Sequence, residues 1–514
     1  MYLVQNIKVD IKEDFSNPAA MLKKAAGICG YNVKLKKRSI DARKKGAPVY
    51  ICSFIFDSDD RDILNNKNVT EYQPFEYVIP TVKSKVRPII VGFGPSGMFA
   101  AYYLAKAGLN PIILEQGKTV VNREKDVDAF FKNRTLNPLS NIQFGEGGAG
   151  TFSDGKLNTG IKDRRIEEVL RLFVHFGAHD DILFDYAPHI GTDILKSVVV
   201  NMRNEIISLG GEFYFDRKVT AFLTNDNKIS GVKCENGEEF LSPFVCLGIG
   251  NAARDIFKTL YDMGVTLEQK PFSVGVRIEH LQSDIDKSRY NGNYGLPPAS
   301  YKMAVHLKNG RGVYTFCMCP GGYVVNSACE KGTVCTNGMS ENKRDGKNAN
   351  SALLVSVMPE DLSSSHPLAG IEFQRSIEKK AFEIFGDYTA PFMTVGEFLG
   401  NKNSLQNVDT TVLPGAERYD ISSVLPQFVT DALKEALPLF GKKIKGFDSF
   451  GAIITAPETR SSSPVKIVRN DNFCSSLDGL YVMGEGAGYA GGITSSAVDG
   501  LKCAENVAKI ISMS

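Results

Sequence analysis

The sequence predicts an α/β protein of three parts: a small N-terminal α/β module, a domain built on a parallel sheet, and an α+β domain inserted into that second part. Two observations predict the split. A buried strand, a glycine turn and a helix follow one another from Val86, and the same order returns between Leu477 and Ile511. The stretch 270–440 alternates short strands and turns without such a unit, so we expect one interrupted domain.

Length and composition set the outer limits. The 514 residues suffice for several domains, and 43% hydrophobic and 23% charged residues with a net charge of +2 are typical of a globular protein. This balance argues against an obligatory nucleic-acid partner. No apolar run reaches the ~18 residues of a membrane span, and the N-terminus becomes charged too early for a signal peptide. Ten cysteines without a CxxC pair indicate reduced thiols, so we expect a cytoplasmic protein without a membrane partner.

The N-terminal module is predicted over residues 1–80 and its linker over 70–85. Hydrophobic patterns predict strands over 3–9, 33–35 and 49–56 and a helix over Pro18–Ala26. The run 34–45 contains seven basic residues and one acid. Such a run suits a solvated loop, or a surface for RNA or a phosphorylated ligand.

The segment from Ile89 to Glu115 carries the most informative pattern. An apolar strand leads into Gly92-Phe93-Gly94-Pro95-Ser96-Gly97, then an alanine-rich helix and a second strand that ends at Glu115. The three glycines permit a sharp turn, the approach of a pyrophosphate and close helix packing, and the helix N-terminus favours negative charge. A carboxylate at the end of the second strand can accept hydrogen bonds from ribose hydroxyls. The pattern predicts a dinucleotide site.

Further glycine segments are predicted to face the same ligand. Residues 143–156 hold too many glycines for a regular element, and their backbone N–H groups could point at a ligand. Residues 244–250 end in glycines and match a second dinucleotide pattern, but they lack a βαβ unit of their own and are predicted to join the first sheet. We expect the split domain over 86–268 and 441–514, with the inserted domain over 269–440.

With these motifs, the chain resembles the bacterial FAD-dependent dehydrogenases, which are glutathione-reductase-type Rossmann flavoproteins. The resemblance extends from about Val86 to Ser514. It rests on GFGPSG (92–97), FGEGGAGTFSDGKL (144–157), GVRIEH (275–280), FCMCPGG (316–322), ETRSSSPV (458–465) and GEGAGYAGGITSSAVDG (484–500). It implies a FAD-binding Rossmann-type domain with an inserted α+β substrate domain. No histidine or cysteine of the sequence lies in a recognisable flavinylation context, so we expect the flavin to be held non-covalently.

The resemblance also implies which residues contact the cofactor. The FAD pyrophosphate would face the first glycine turn, and the adenosine ribose would face Glu115. Arg123 would lie on the phosphate side, and Val219 would lie beside the adenine. The C-terminal glycines would lie at the pyrophosphate and the pyrimidine end of the flavin. The full implied set is Gly92, Gly94, Pro95, Ser96, Gly97, Glu115, Gln116, Arg123, Gly148, Ala149, Gly150, Thr151, Val219, Gly248, Gly250, Gly484, Glu485, Gly491, Gly492 and Ile493.

Two predicted strands of the inserted domain carry candidate catalytic residues. Strand alternation in Phe272–His280 places Arg277 and Glu279 on one face. They could orient an anionic substrate and relay a proton, or pair with each other as a structural ion pair. His280 falls on the apolar side and is interpreted as a structural histidine.

Cys317 and Cys319 precede a Pro-Gly-Gly turn and are predicted on one strand face. Three interpretations stay open: a thiolate beside the flavin that relays electrons or attacks a substrate, a metal or cluster site with Cys329 and Cys335, or small apolar packing residues. The spacing of the four cysteines is not a standard metal pattern. A disulfide between positions two apart is marginal in an extended strand.

These observations predict a FAD-dependent oxidoreductase that transfers hydride through the flavin to or from a small molecule. NAD(P)H is expected only as a transiently docked electron donor. Arg277, Lys302 and Arg311 lie in the inserted domain and leave an anionic substrate open. The alternative is a non-catalytic flavin-binding or RNA-associated protein that acts through its basic N-terminal module.

Overall fold

The computed structural model describes residues 1–43, 46–60, 62–401 and 409–513. Lys44 and Lys45, the end of the basic run, therefore lie outside the described residues. Over these ranges, no helix combines the length and the apolar character needed to cross a membrane.

The N-terminal module is a four-stranded antiparallel sheet with one helix. Its elements are β1 (Tyr2–Asp10), α1 (Pro18–Ala26), β2 (Tyr31–Asp41), β3 (Val49–Asp57) and β4 (Val69–Glu71). The strand order is β2-β3-β1-β4, and Val4, Leu22 and Phe54 belong to a separate small core. The part of the basic run up to Asp41 is thus strand rather than loop.

Strand β2 attaches this module to the rest of the chain. Arg38 exchanges backbone hydrogen bonds with the two residues that flank Asp185. Its guanidinium donates to both carboxylate oxygens of Asp185, at 2.7 and 2.9 Å. Lys36 Nζ lies 3.0 Å from the Glu167 carboxylate. Two basic side chains of the run therefore serve docking within the chain.

The main domain begins with alternating strands and helices. Its first elements are β5 (Ile89–Val91), α2 (Pro95–Lys106), β6 (Ile112–Leu114), α3 (Val120–Asn133), α4 (Arg165–His175), α5 (Thr192–Ser208), β7 (Glu212–Tyr214), β8 (Val219–Asn225), β9 (Lys228–Cys234), β10 (Glu239–Leu241), β11 (Val245–Leu247) and α6 (Arg254–Asp262). Strands β8, β9 and β10 form a separate antiparallel sheet.

The inserted region is dominated by one large sheet. Its elements, together with the short strand that precedes it, are β12 (Leu267–Gln269), β13 (Phe272–Leu281), α7 (Gln282–Tyr290), β14 (Ala304–His306), β15 (Gly312–Asn326), β16 (Thr336–Met339), β17 (Asn348–Val357), α8 (Ala369–Phe385), β18 (Ala390–Thr394), α9 (Val395–Phe398), β19 (Ala416–Arg418), α10 (Gln427–Gly441) and β20 (Ile453–Glu458). The sheet order is β14-β15-β17-β13-β20-β18-β19, with β16 paired to β15. This sheet continues past position 440, because the expected boundary falls inside α10 and β20 still pairs with β13.

The last elements return to the main domain. They are β21 (Val465–Ile467), β22 (Leu480–Val482) and α11 (Ile493–Met513). Strand β21 pairs with β12, and β22 completes a parallel sheet in the order β22-β11-β5-β6-β7. As the sequence predicts, β11 joins the first sheet. Because the chain leaves β5 to one side and later returns to the other, a crevice opens at the carboxyl ends of the strands.

Helices α2 and α11 pack closely beside this crevice. A Cβ atom added at Gly500 would lie 2.1 Å from the Ser96 carbonyl oxygen, so only a glycine lets the two backbones approach this far. The C-terminal helix is thereby held against the first glycine turn.

Candidate functional site

A cavity of about 1530 Å³ opens at the carboxyl ends of the parallel strands. All three parts of the chain supply its walls. Tyr50 comes from the N-terminal module, Val91 and Leu114 from the ends of β5 and β6, and Tyr301 and Cys317 from the inserted domain. The cavity is therefore long and runs between domains, as ligand sites at such sheet edges do.

The first glycine turn forms one end of the cavity floor. Gly92 has φ +93°, and a Cβ there would lie 2.6 Å from the Gly248 carbonyl oxygen. A Cβ at Gly97 would lie 1.9 Å from the Gly92 carbonyl oxygen. Helix α2 begins within this turn, at Pro95. The N–H groups of Ser96 and Gly97, in its first turn, therefore lack helical acceptors and carry the positive end of the helix dipole.

Glu115, at the end of β6, ties the neighbouring loops together. One carboxylate oxygen accepts from the Phe93 N–H at 2.8 Å, and the other accepts from Gly117 and Gly145 at 3.0 and 3.1 Å. The side chain is buried but still lines the cavity. An oxygen that accepts one bond retains a further acceptor site, so Glu115 can still receive a ligand hydroxyl.

Arg123 holds the glycine-rich loop from behind. Its guanidinium donates to the carbonyls of Asn141, Ile142 and Glu146 at 2.7 to 2.8 Å, and it lies 4.7 Å from the Phe152 ring centroid. It is fully buried and does not line the cavity. The expected phosphate-side role of Arg123 is thus corrected: three of its N–H donors bind carbonyls, it lies behind the cavity wall, and it shapes the loop.

Two bare stretches of backbone meet at the wall of the cavity. Gly148 has φ +61°, and a Cβ there would lie 2.9 Å from the Gly94 Cα. Gly150 faces the side chain of Ile493, the first residue of α11. Side chains at these glycines would fill the space between α2 and the loop. This cradle fits a pyrophosphate and the chain that follows it, because such a ligand needs direct access to backbone N–H groups.

The C-terminal glycine segment contributes a carboxyl group to the cavity. Glu485 Oε1 accepts from Asn251 Nδ2 at 2.8 Å, and burial raises the pKa of Glu485 to about 7, against the attraction of Lys270. The backbone N–H of Gly484 donates to Asp499 at 2.7 Å. Glu485 is therefore a carboxyl group of the cavity that can hold a proton near neutral pH.

Most of the residues implied as cofactor contacts line this one cavity. They are Gly92, Gly94, Pro95, Ser96, Glu115, Gln116, Gly148, Ala149, Gly150, Val219, Gly248, Gly250, Glu485, Gly491, Gly492 and Ile493. Gly97, Arg123, Thr151 and Gly484 do not line it. These four residues lie behind the cavity wall and support it. Thr151, for example, donates its hydroxyl to the Glu146 carbonyl at 3.2 Å.

A buried ion cluster lies where the main and inserted domains meet. Asp154 is buried between Lys156 Nζ at 2.8 Å and Arg344 Nη2 at 2.5 Å. Burial opposes the charge of Asp154, but the two cations outweigh it and hold the pKa of Asp154 well below its usual value. Lys156 Nζ also lies 3.8 Å from Cys319 Sγ. Two cations face one carboxylate, so the cluster carries a positive charge into the cavity.

Arg277 and Glu279 do not pair with each other. Arg277 donates to both oxygens of Glu458 at 2.6 and 2.7 Å and to the Cys317 carbonyl at 3.2 Å. Glu279 accepts from Thr410 at 3.0 Å, is buried, and does not line the cavity. The expected substrate-facing role of Glu279 is corrected, because its carboxylate is taken by neighbouring polar groups inside the inserted domain.

Other predicted residues of the inserted domain stabilise the fold. His280 Nε2 lies 2.8 Å from the Phe447 carbonyl oxygen. Arg311 donates to both oxygens of Asp361 and does not line the cavity. Arg277 is fully buried and does not line the cavity either. The expected grouping of Arg277, Lys302 and Arg311 at a substrate site is therefore corrected, because only Lys302 lines the cavity.

The remaining cysteines make separate contacts. Cys329 Sγ accepts from Arg460 Nη1 at 2.5 Å, and Cys335 Sγ lies 3.3 Å from the Thr459 hydroxyl. Among the described residues, no group of three or more His, Cys, Asp or Glu side chains is placed to hold a metal ion.

Some cavity residues were missed from the sequence. Asp154 and Lys156 lie inside the 144–157 motif and Glu458 inside the 458–465 motif, so charged residues within shared motifs were an available signal. Arg344 and Tyr186 line the cavity from segments without any local pattern. Their position depends on tertiary packing alone.

A parallel sheet with glycine turns at its carboxyl ends and a long cavity defines an α/β protein suited to an extended, phosphate-bearing ligand. Residues 271–461 match a family model described as "FAD-dependent protein, C-terminal domain-like". An uncharacterized protein of Clostridium beijerinckii (strain ATCC 51743 / NCIMB 8052) is 42% identical over 523 residues, which cover 98% of each chain. The chain belongs to the same family as this clostridial protein.

Three solved structures are similar to this chain at low sequence identity. CtdE in complex with FAD shares 12% identity at a TM-score of 0.32, covering 84% of this chain and 85% of that chain. The halogenase PltM shares 11% sequence identity at a TM-score of 0.39, and the match covers 83% of this chain and 69% of that chain. PqsL of P. aeruginosa in complex with 2-aminobenzoylacetate shares 12% sequence identity at a TM-score of 0.33, and the match covers 83% of this chain and 86% of that chain. At these values the likeness carries no conclusion about activity or ligand.

Proposed function

We propose that the chain is a FAD-dependent oxidoreductase that passes hydride between a small molecule and a non-covalently held flavin. One observation carries the proposal. Glycine turns from four distant segments, around Gly94, Gly148, Gly248 and Gly492, converge on one cavity. The family match over 271–461 to FAD-dependent proteins supports it further.

The cavity residues suit the successive parts of FAD. The free N–H groups at the start of α2, opposite Gly148, would bind the pyrophosphate. Glu115 would accept from the ribose, and Val219 would lie beside the adenine. The start of α11 at Ile493 would face the pyrimidine end of the ring, where its dipole favours negative charge. Bound FAD supplies a ring that accepts or gives up hydride.

The chain's own side chains would handle protons and substrate charge. Glu485 can retain a proton near neutral pH because burial raises its pKa to about 7, so it is a candidate proton donor within the cavity. The two positive charges of Lys156 and Arg344 exceed the single negative charge of Asp154 between them. Lys302 and Arg289, both exposed, line the cavity and make no ion pair within the described residues. These cations support a small anionic substrate.

A reduced nicotinamide dinucleotide is proposed as a transient electron donor. The glycines of 244–250 belong to β11 and the turn after it, in the same sheet as β5. They therefore support one dinucleotide site rather than two.

Anaerobic mixing tests the proposed function. The flavin-loaded protein is mixed with NADH, NADPH or a panel of carboxylate- and phosphate-bearing metabolites, and flavin bleaching is followed. We expect at least one compound to reduce the flavin within seconds. If dithionite bleaches the flavin but no physiological donor does, the oxidoreductase proposal fails and the non-catalytic flavin-binding alternative remains.

A further inference from the structure

The chain around Cys317 departs from a regular strand. Cys317 has φ +42°, a conformation that non-glycine residues rarely adopt. The pairing of β15 with β17 shifts register between Phe316 and Cys319, which is a bulge in the strand. The extended geometry that makes a disulfide between positions two apart marginal is therefore absent here.

The bulge brings the two thiols together. Cys319 Sγ lies 3.4 Å from the Cys317 carbonyl oxygen, and a side-chain hydrogen bond with Cys319 is the largest influence on the pKa of Cys317. The surroundings differ sharply, because Cys317 is partly exposed and lines the cavity whereas Cys319 is fully buried. A small molecule in the cavity can reach the first sulfur and not the second.

The charges around the pair favour a thiolate at Cys317. The hydrogen bond from Cys319 lowers the pKa of Cys317 and outweighs burial, with help from Lys156 and Arg277. The same hydrogen bond, followed by burial, raises the pKa of Cys319. Asp154 opposes the thiolate, but it is paired to Lys156. The cavity-facing sulfur is the nucleophile, since the thiolate is the reactive form.

We propose that Cys317 and Cys319 form a dithiol–disulfide redox pair, in which Cys317 attacks a small anionic disulfide in the cavity and Cys319 resolves the product. This inference rests on the proposed flavin function for the electrons that regenerate the pair. The cations of the cavity, among them Lys156 and Arg344, would hold the anionic groups of the substrate.

The chemistry balances in two displacements. The Cys317 thiolate forms a bond to one sulfur of the substrate disulfide, the substrate S–S bond breaks, and the leaving thiolate takes a proton from water. Cys319 then loses its proton, attacks Cys317, and releases the second thiol as the Cys317–Cys319 bond forms. The pair is oxidised by two electrons and the substrate is reduced to two thiols. Return to the dithiol consumes two electrons and two protons, for which a reduced flavin is the class of donor.

The probe is 5,5′-dithiobis(2-nitrobenzoate), an anionic disulfide that releases a coloured thiol. The full-length flavin-loaded protein, Cys317→Ser, Cys319→Ser and Cys474→Ser are compared. Cys474 is partly exposed like Cys317, but burial raises the pKa of its thiol, so Cys474→Ser is the matched control. Mass spectrometry of the proteolysed protein identifies the linked cysteines.

The proposal predicts a distinct result for each protein. At about pH 6 the wild type and Cys474→Ser should show a fast phase of coloured-thiol release, whose rate exceeds that of an ordinary thiol by about tenfold or more. Both should release two coloured thiols and link Cys317 to Cys319. Cys319→Ser should release one and retain a mixed disulfide on Cys317, and Cys317→Ser should lose the fast phase.

Three results would overturn the pair: a fast phase that survives in Cys317→Ser, no linked 317–319 peptide in the wild type, or a mixed disulfide on Cys317 that persists in the wild type. Flavin content is measured by absorbance in the same samples. Colourless protein that still forms the linked peptide would contradict the flavin function alone, whereas yellow protein that never forms it would contradict only the redox pair.

Discussion

At the scale of single residues, the site depends on glycines that let the glycine-rich loop lie directly against the turn before α2. Gly148 combines a left-handed backbone with a Cβ position 2.9 Å from the Gly94 Cα. Gly386, at the end of α8, has φ +72° but nothing within 4 Å of its Cβ position. Comparing the two positions separates the cost of a left-handed backbone from the effect of pushing the glycine-rich loop away from Gly94.

Gly148→Ala should therefore lose FAD binding by about tenfold or more, while Gly386→Ala should keep it. Both variants carry a similar backbone cost of about 1 kcal/mol, but only the methyl group at position 148 also meets Gly94 and displaces the loop that forms the cradle. The flavin-to-protein ratio and the dissociation constant for added FAD measure the effect. Equal FAD affinity in the two variants would contradict the placement of the pyrophosphate.

The protonation of Glu485 makes the stability of the fold depend on pH. Its folded-state pKa of about 7 exceeds that of an ordinary glutamate, so the folded chain binds more protons and loses stability as the pH rises from about 4 to 7. Glu485→Gln should remove this loss, on the order of 1–3 kcal/mol. Unfolding free energies between these pH values measure it, with the exposed Glu383→Gln as control. An unchanged pH slope in Glu485→Gln would contradict the raised pKa.

At the scale of elements, a buried charge network links α6 to α8. Arg254 on α6 donates to both oxygens of Glu378 on α8 at 2.8 and 2.9 Å. Arg460 donates to the same carboxylate at 3.0 and 2.7 Å. Burial alone would raise the pKa of Glu378, but the two guanidinium groups outweigh it and hold that pKa well below its usual value.

Glu378→Gln should destabilise the fold by about 3 kcal/mol, because it removes the carboxylate that neutralises two buried guanidinium groups and leaves only the partly exposed Glu330, 3.3 Å from Arg254, as a carboxylate partner. Glu378 stabilises the fold above the ordinary glutamate pKa and loses this contribution as the pH falls below it. The wild type should therefore lose more stability on acidification than the variant. Chemical denaturation at neutral and acidic pH tests this, and Glu372→Gln on the exposed face of α8 should change little.

The docking of the N-terminal module depends on strand β2. Arg38→Ala removes the paired hydrogen bonds to Asp185 and the stacking on Phe184, whose ring centroid lies 5.1 Å away. We expect a loss of about 1–3 kcal/mol of docking energy. Proteolysis in the segment after β4 should accelerate several-fold. Lys34→Ala, on the same strand and exposed, is the control, and equal cleavage rates would contradict the docking role.

Sequence patterns predicted the elements better than their contacts. The helix over Pro18–Ala26 and the return of β11 to the first sheet follow from local periodicity and glycine spacing. The Arg277–Glu458 pair joins positions far apart in the chain. The bulge at Cys317 depends on its pairing with β17. Such features are set by tertiary packing, and no local pattern encodes them.

At the scale of the whole molecule, the three parts of the chain enclose one cavity. The main domain supplies the glycine floor, and the inserted domain supplies Cys317 and Glu458. The N-terminal module closes a further wall with Lys37 and Tyr50. The sequence predicted the glycine floor and offered Cys317 as a candidate beside the flavin, but it missed Glu458. The contribution of the N-terminal module follows only from how β2 docks. Removal of the module should therefore expose the cavity to solvent.

The flavin content of the purified full-length protein tests the central claim most directly. We predict visible flavin absorbance, release of FAD on denaturation at one molecule per chain, and its loss in Gly148→Ala. Protein that is colourless, does not take up added FAD, and behaves identically in Gly148→Ala would contradict the account.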